Sequence, residues 1–293
     1  MVALPAGERS AGATGVVLML SSCALLTLGD AVSKLLTESY PVGQVLFVRS
    51  VIVCAIVGIV CVLRGRTAQL VPRNLRAQLW RGAWFAAATF CFVWSISVLP
   101  LPMVSAIMFS APIILTALAG PVLGERVGWR RWLAVCVGFG GILIIVNPFG
   151  GGWTAVMLLP VVGAFITATR DLVTRHVAVG ETTLSILFIS MAVTLVPAAA
   201  TAPFGWQMPG LFHAVLLVAV GLVHGAALYL QIAAFQAAEA GLLAPYKYSM
   251  IIWSTLLAFL IWGDVPSPST ILGASVVILS GVFIYCREAR TGR

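Results

Sequence analysis

Asp30-Ala-Val-Ser-Lys34 places an acid and a base, four positions apart, inside a run that is otherwise apolar. A near-copy, Asp171-Leu-Val-Thr-Arg175, follows 141 residues later. On a helix this spacing sets acid and base on one face, about one turn apart. A charge in the hydrocarbon layer costs roughly 2.5–3.5 kcal/mol, so it is expected to face protein or water, to find a partner and to mark function. The rest of the chain is read around these two charged turns.

The 293 residues are 61% hydrophobic and 9% charged, with a mean hydropathy of +1.07. Soluble domains carry about 25% charged residues. So small a polar share cannot cover a water-facing surface, and the expected class is an all-α polytopic membrane protein. The net charge of +8, from 17 basic and 9 acidic residues, is explained by Lys and Arg collecting in cytoplasmic loops. Nucleic acid is therefore excluded as a partner. Cys23, Cys54, Cys61, Cys91, Cys136 and Cys286 stand singly in apolar runs and read as small buried side chains. No cleavable signal peptide is expected, because the first apolar run is too long and Asp30 interrupts it.

A spanning helix needs about 20 mostly apolar residues. The pattern predicts ten: Val16–Leu36, Val42–Leu63, Trp80–Leu99, Met103–Leu123, Trp132–Val146, Trp153–His176, Thr182–Ala200, Leu211–Phe235, Leu242–Trp262 and Thr270–Cys286. Connectors carry turn signals such as Tyr40-Pro41, Asn147-Pro148 and Pro266-Ser267-Pro268. With ten spans, every basic connector falls on one side: Arg64, Arg66, Arg73, Arg76 and, at its edge, Arg81, then Arg126, Arg130 and Arg131, then Arg175, then Arg287, Arg290 and Arg293. The alternate connectors hold only Glu38 and Asp264. The positive-inside rule then expects both termini in the cytoplasm and the chain in the cytoplasmic (inner) membrane.

The chain also aligns with itself. At an offset of 141, Asp30/Asp171, Val32/Val173, Ser33/Thr174, Lys34/Arg175, Leu46/Leu187 and Phe47/Phe188 match. At an offset of 139, Gly82/Gly221, Phe90/Tyr229, Phe109/Tyr248, Ser110/Ser249, Gly124/Gly263 and Glu125/Asp264 match. Each half holds five helices. Five is odd, so the second half is expected to cross the bilayer inverted, as in many secondary transporters with a midplane site. The expected halves are 1–146 and 153–286, followed by a cytoplasmic tail at 287–293. Arg49 aligns with Ser190, so the halves are not chemically equivalent.

The ten helices in two halves, the Gly124-Glu125-Arg126 turn with its counterpart Gly263-Asp264, and the opening Asp30-Ala-Val-Ser-Lys34…Phe47-Val-Arg49 resemble the EamA-type transporters of the drug/metabolite transporter superfamily. The resemblance covers nearly the whole chain. It implies a transporter in which helices one, three, four, six, eight and nine line a central cavity, with five and ten peripheral. It leaves the substrate open, because the family moves very different solutes.

Asp30 and Arg49 are expected at one depth, as an ion pair that Lys34 could share and that gates the outer side; a permanent strut between helices one and two is the alternative. Arg170 and Asp171 stand at the inner end of helix six as a candidate inner gate, with Arg175 and His176 free to snorkel. Pro245-Tyr246-Lys247-Tyr248-Ser249 brings a cation flanked by hydroxyls to a helix that Pro245 can bend; a structural pair of Lys247 with Asp171 or Glu239 is the alternative. His224 could relay protons or serve as a neutral hydrogen-bonding residue. Trp94 and Tyr229 are candidate cavity aromatics, although packing or lipid contact explains such residues equally. Glu125 and Asp264 are expected to cap the following helix or bind loop backbone.

The expected function is alternating-access transport of a small organic metabolite, anionic or zwitterionic, amino acid-like or a carboxylate. No P-loop is present, no cofactor is implied, and no catalytic motif supports an enzyme. A passive channel and a membrane-embedded enzyme are the other classes. The partners implied are the bilayer, a small-molecule substrate and either protons or an exchanged solute; a homodimer stays open.

Overall fold

The structure is a computed structural model that describes residues 6–111, 113–115, 117–118, 129–147, 154–177, 181–237 and 243–291. Ten α-helices lie in these residues, and no strand: α1 (Ala6–Thr37), α2 (Val42–Leu63), α3 (Leu75–Val98), α4 (Leu101–Met108), α5 (Trp129–Val146), α6 (Leu158–Val177), α7 (Thr183–Ala200), α8 (Leu211–Ala237), α9 (Ser249–Trp262) and α10 (Pro268–Thr291). Five spans reach 19–24 residues at membrane-crossing hydropathy, and five apolar helices are shorter. The chain is an all-α polytopic membrane protein. Pro112, Glu125 and Glu239 lie outside the described residues.

Two boundaries differ from the sequence reading. α3 begins at Leu75 rather than Trp80, because Asn74 Oδ1 accepts from the Ala77 N–H at 3.1 Å and caps the helix. Arg81 therefore sits almost two turns inside a helix, not in a loop. The ninth span starts as a 3₁₀ segment, Ala244–Tyr248, before α9. Pro245 has no N–H to give the preceding turn, which favours the tighter winding at this point.

Helix directions follow from contacts at the ends. α2 and α7, the second helices of the two expected halves, lie head to tail. The start of α2 meets the end of α7 through Gly43 and Thr201. Gln44 donates to Gln207 O at 2.6 Å just beyond. At the far end, Thr182 Oγ1 donates to Gln69 O at 2.5 Å, and Glu181 accepts from the Arg73 and Asn74 N–H groups at 3.0 Å each. We call this second end the basic end, and the end bearing Thr37 and Thr201 the opposite end. α5 and α10 also cross antiparallel: the Cβ position of Gly141 is 2.9 Å from Gly273 O, and that of Gly273 is 3.1 Å from Ile145 N.

Two glycine contacts repeat one another. The Cβ position of Gly221 (α8) is 2.7 Å from Ile52 (α2), and that of Gly82 (α3) is 2.9 Å from Val193 (α7). The offsets of 139 and 141 carry Gly82 onto Gly221 and Ile52 onto Val193. The α3/α7 and α8/α2 interfaces are thus the same interface met twice, in reverse. A second repetition lies at the centre: α4 ends at Met108, a turn occupies Phe109 and Ser110, and the chain resumes as helix. Phe109 aligns with Tyr248, where the 3₁₀ segment ends, and the two rings stand 5.1 Å apart.

The close approach of α5 and α10 is testable. Gly273→Val would drive a branched side chain onto Gly141 O, 2.6 Å from the Cβ position, and neither backbone can yield. Unfolding in detergent should show a loss of about 1–3 kcal/mol. Gly58→Ala, with nothing within 4 Å of its Cβ position, should hold or raise stability by up to about 1 kcal/mol.

Candidate functional site

The charged side chains gather in two groups, one toward each end. In the opposite half, Asp30 (α1), Arg49 (α2) and His224 (α8) are all buried, at 6%, 2% and 8% exposure. The charge of Arg49 reaches both Asp30 and His224. The expected direct ion pair is not formed: among the described residues, the side chains of Asp30 and Arg49 make no hydrogen bond and no ion pair within 4 Å. The reason is helix order. α8 packs on both α1 and α2, which touch each other little. His224 Nδ1 lies 4.0 Å from the Cβ position of Gly29, so the imidazole packs against α1 one residue from Asp30. Arg49 Nε, Ser50 Oγ and His224 Nδ1 are buried without a hydrogen-bond partner among the described residues. A group in this condition is costly to the fold alone.

Lys34 does not share in this group. Its Nζ donates to Leu99 O at 2.6 Å and Ile96 O at 3.0 Å, the last carbonyls of α3, and stands 5.3 Å from the Trp262 ring at the end of α9. Trp262 Nε1 donates to Glu38 at 2.8 Å. A lysine at a helix C-terminus satisfies carbonyls that have no partner within the helix and complements the dipole. Lys34, Glu38 and Trp262 therefore tie α1 and α3 to α9 at the opposite end. The Glu38–Trp262 contact was invisible in the sequence, since neither residue has a spacing that links it to the other. Asp264 does not cap α10; Ser267 does, accepting from the Thr270 N–H at 3.2 Å. The backbone of Asp264 instead closes α9, beside Gly263 at φ 71°.

In the basic half, Arg170 Nη2 and Asp171 Oδ1 form an ion pair at 2.7 Å, with the Arg170 guanidinium 5.9 Å from the Phe85 ring. Lys247 lies within electrostatic reach of Asp171, Arg170 and Cys23. α1, α3, α6 and the 3₁₀ segment meet here. Successive residues of a 3₁₀ turn diverge by about 120°, so Lys247 is not flanked by hydroxyls in one site. Tyr248 turns to Phe109 and to Gly281, where its hydroxyl fills the space a side chain would take. Tyr246 is partly exposed, and its carbonyl faces Cys23 Sγ at 3.9 Å.

Arg81 is the residue that sequence reasoning placed too near the water, at the edge of the basic connector and the very start of the third span. It is 3% exposed, and its charge reaches Arg170. Nε donates to Gln78 Oε1 at 2.9 Å; Nη2 donates to Ile186 O at 2.8 Å and Ser190 Oγ at 2.6 Å. The Asn74 cap signal would have moved it inside the helix. Trp94 and Tyr229 join neither group. They are 58% and 60% exposed, Trp94 on a stripe with Trp80 and Ala87, Tyr229 on an apolar stripe with Val215, Val218 and Leu222.

Comparison with known proteins agrees with this build. Residues 13–147 match the EamA-like transporter family. An S-adenosylmethionine uptake transporter of Rickettsia bellii is 30% identical over 213 residues, 73% of each chain. One from Rickettsia prowazekii is 26% identical over 277 residues, 94% of each chain. A riboflavin transporter of Vibrio cholerae is 28% identical over 190 residues, 64% of this chain and 63% of its own. A crystal structure of a protein with 16% identity covers 96% of this chain and 99% of its own at a TM-score of 0.65, which bears on the fold alone. A multi-pass bundle with buried charge at both ends, and relatives that carry small molecules, make this chain a membrane transporter and a member of the EamA-like transporter family, within the drug/metabolite transporter superfamily.

Proposed function

We propose that the protein is an alternating-access carrier of a small zwitterionic metabolite, an α-amino acid carrying a larger organic group, with S-adenosylmethionine as the leading compound. Two inverted five-helix repeats, 1–146 and 153–286, rock about the Phe109–Tyr248 contact. The basic end faces the cytoplasm, with both termini, across the cytoplasmic membrane. The carrying observation is the grouping of Arg170, Asp171 and Lys247 where α6 meets the 3₁₀ segment. Both signs of charge stand together there, as an amino acid head group requires. Lys247 and Arg170 receive the carboxylate, and Asp171 the ammonium. The break before α9 supports the same reading, since discontinuous helices build such sites in inverted-repeat transporters. Four relatives named S-adenosylmethionine uptake transporters support the compound. Riboflavin, named for other relatives, is the competing substrate. Coupling runs through protons or through an exchanged solute.

The contacts of Lys34 and Glu38 with Trp262 join the first half to α9 of the second. Opening the opposite end must break them. The Asp30, Arg49 and His224 group lies about 10 Å below that end, at 1.5 Å per residue. It is read as the part that senses the opening, with a structural strut as the alternative.

Counterflow in proteoliposomes tests the carrier. Unlabelled S-adenosylmethionine inside should accelerate entry of the labelled compound, and riboflavin should not compete. Absence of trans-stimulation indicates a channel; stimulation by riboflavin alone transfers the assignment to that substrate. Lys247→Met should raise KM about tenfold or more, since hydrogen bonds to a charged group contribute about 1.5–3 kcal/mol.

Arg49→Leu leaves Asp30 buried without its nearby counter-charge. It should abolish counterflow and destabilise the protein by about 3–5 kcal/mol, and Asp30→Asn in the same chain should return part of that stability. Transport and affinity untouched by Arg49→Leu would remove the group from the cycle.

A further inference from the structure

The repeated glycine contact fixes which residues correspond across the two interfaces. With Ile52 on Val193 and Gly221 on Gly82, Arg49 falls on Ser190 and Val220 falls on Arg81. One interface has arginine on α2 opposite valine on α8. The other has serine on α7 opposite arginine on α3. Each interface therefore holds one guanidinium, contributed from opposite sides. Both are buried, at 2% and 3% exposure. Each lies about 10 Å inside its own end of the bundle, at residue 7 beyond the start of α2 and residue 6 beyond the start of α3. Arg81 Nη2 meets Ser190 Oγ at 2.6 Å, so it reaches the very position that corresponds to Arg49.

The correspondence extends to the neighbours. His224, within reach of the Arg49 charge, falls on Phe85, over which Arg170 stands. Asp30, also within reach of Arg49, falls on Asp171, which Arg170 holds. Each end thus has an acid on the first helix of a half, a ring from the third helix of the other half, and a guanidinium where that third helix meets the second.

We propose that Arg81 is the basic-end counterpart of Arg49, a positioning residue, and that the two form one device duplicated by inversion: each clamps the helix pair at its own end when that end closes. Arg81 acts on the substrate group through Arg170, which its like charge holds against Asp171. The proposal rests on the carrier reading above, but its test does not need the substrate.

Hydrogen exchange of the full-length protein in nanodiscs reads it. Arg81→Val should loosen the basic end, raising exchange at least threefold over residues 181–190 and lowering it over residues 38–45. Arg49→Ser should do the reverse. Transposing the guanidinium, Arg81→Val with Ser190→Arg, recreates on α7 the arrangement of α2 and should restore the wild-type exchange pattern. The same double variant should recover at least a third of counterflow lost in Arg81→Val. Thermal unfolding of each variant separates misfolding from a shifted equilibrium. Exchange that rises at both ends in either single variant marks arginines that only hold the fold, and overturns the proposal. So does a transposed variant that unfolds like the wild type yet keeps the Arg81→Val pattern. Mirrored exchange without any counterflow would leave the device standing and sink the carrier reading.

Discussion

The hydrocarbon layer offers no water to an ionised group, so every charge in this chain at membrane depth has to be solvated by protein. That requirement decides which helices meet. Arg49 and Arg81 cannot reach the surface from within their helices. Each therefore needs a neighbouring helix close enough to cover it, and close approach needs a glycine. Gly221 beside Ile52 and Gly82 beside Val193 supply that approach within a turn of the two arginines. Glycine contact and buried guanidinium are two aspects of one interface. The head-to-tail packing of α2 and α7 sets one such interface toward each end.

Much of this was legible in the sequence, and the reasons are specific. Asp30 and Asp171 stood out because few residues at membrane depth are charged, so a repeated acid–base turn has little background to compete with. The count of ten spans came from the apolar runs, and the one-sided placement of the arginines supported it. What failed were judgements of where a helix begins and how a turn winds. Arg81 was read at the edge of the basic connector because Leu75–Leu79 resembles that connector in composition; the single Asn74 cap moves the start of α3 by five residues and carries Arg81 a turn and a half deeper into the helix. Lys247 was read with Tyr246 and Tyr248 as one group from their adjacency in sequence, but neighbours one position apart point in different directions on any helix, and Tyr248 packs on Phe109 and Gly281 instead. The Lys34 contacts were beyond reach, since carbonyls leave no mark in a sequence.

The alignment of Arg49 with Ser190 looked at first like the place where the duplication had decayed. The structure gives it another meaning. A substitution that removes a guanidinium from one side of an interface is harmless when the facing helix supplies one, as Arg81 does for Ser190. Equivalence between halves is then a property of the interface and not of the position. Comparing the halves residue by residue misses it, and comparing contacts recovers it.

The two ends are nonetheless unequal in their bonding. Arg81 spends its donors on Gln78, Ile186 and Ser190, whereas Arg49 Nε and His224 Nδ1 have no hydrogen-bond partner among the described residues. Buried polar atoms left in that condition cost about 1–3 kcal/mol each, and the ties of Lys34 and Glu38 across that same end act in the opposite sense. On the carrier reading proposed above, such a group beneath a clasp would be bistable: releasing the clasp would let water reach the group and remove the penalty, while closing it would restore the contacts and the penalty together. Neither state is then deeply favoured over the other, and a bound solute with a modest preference can move the balance. A fully satisfied cluster at both ends would hold the bundle in one form, and the proposed carrier cycle needs two.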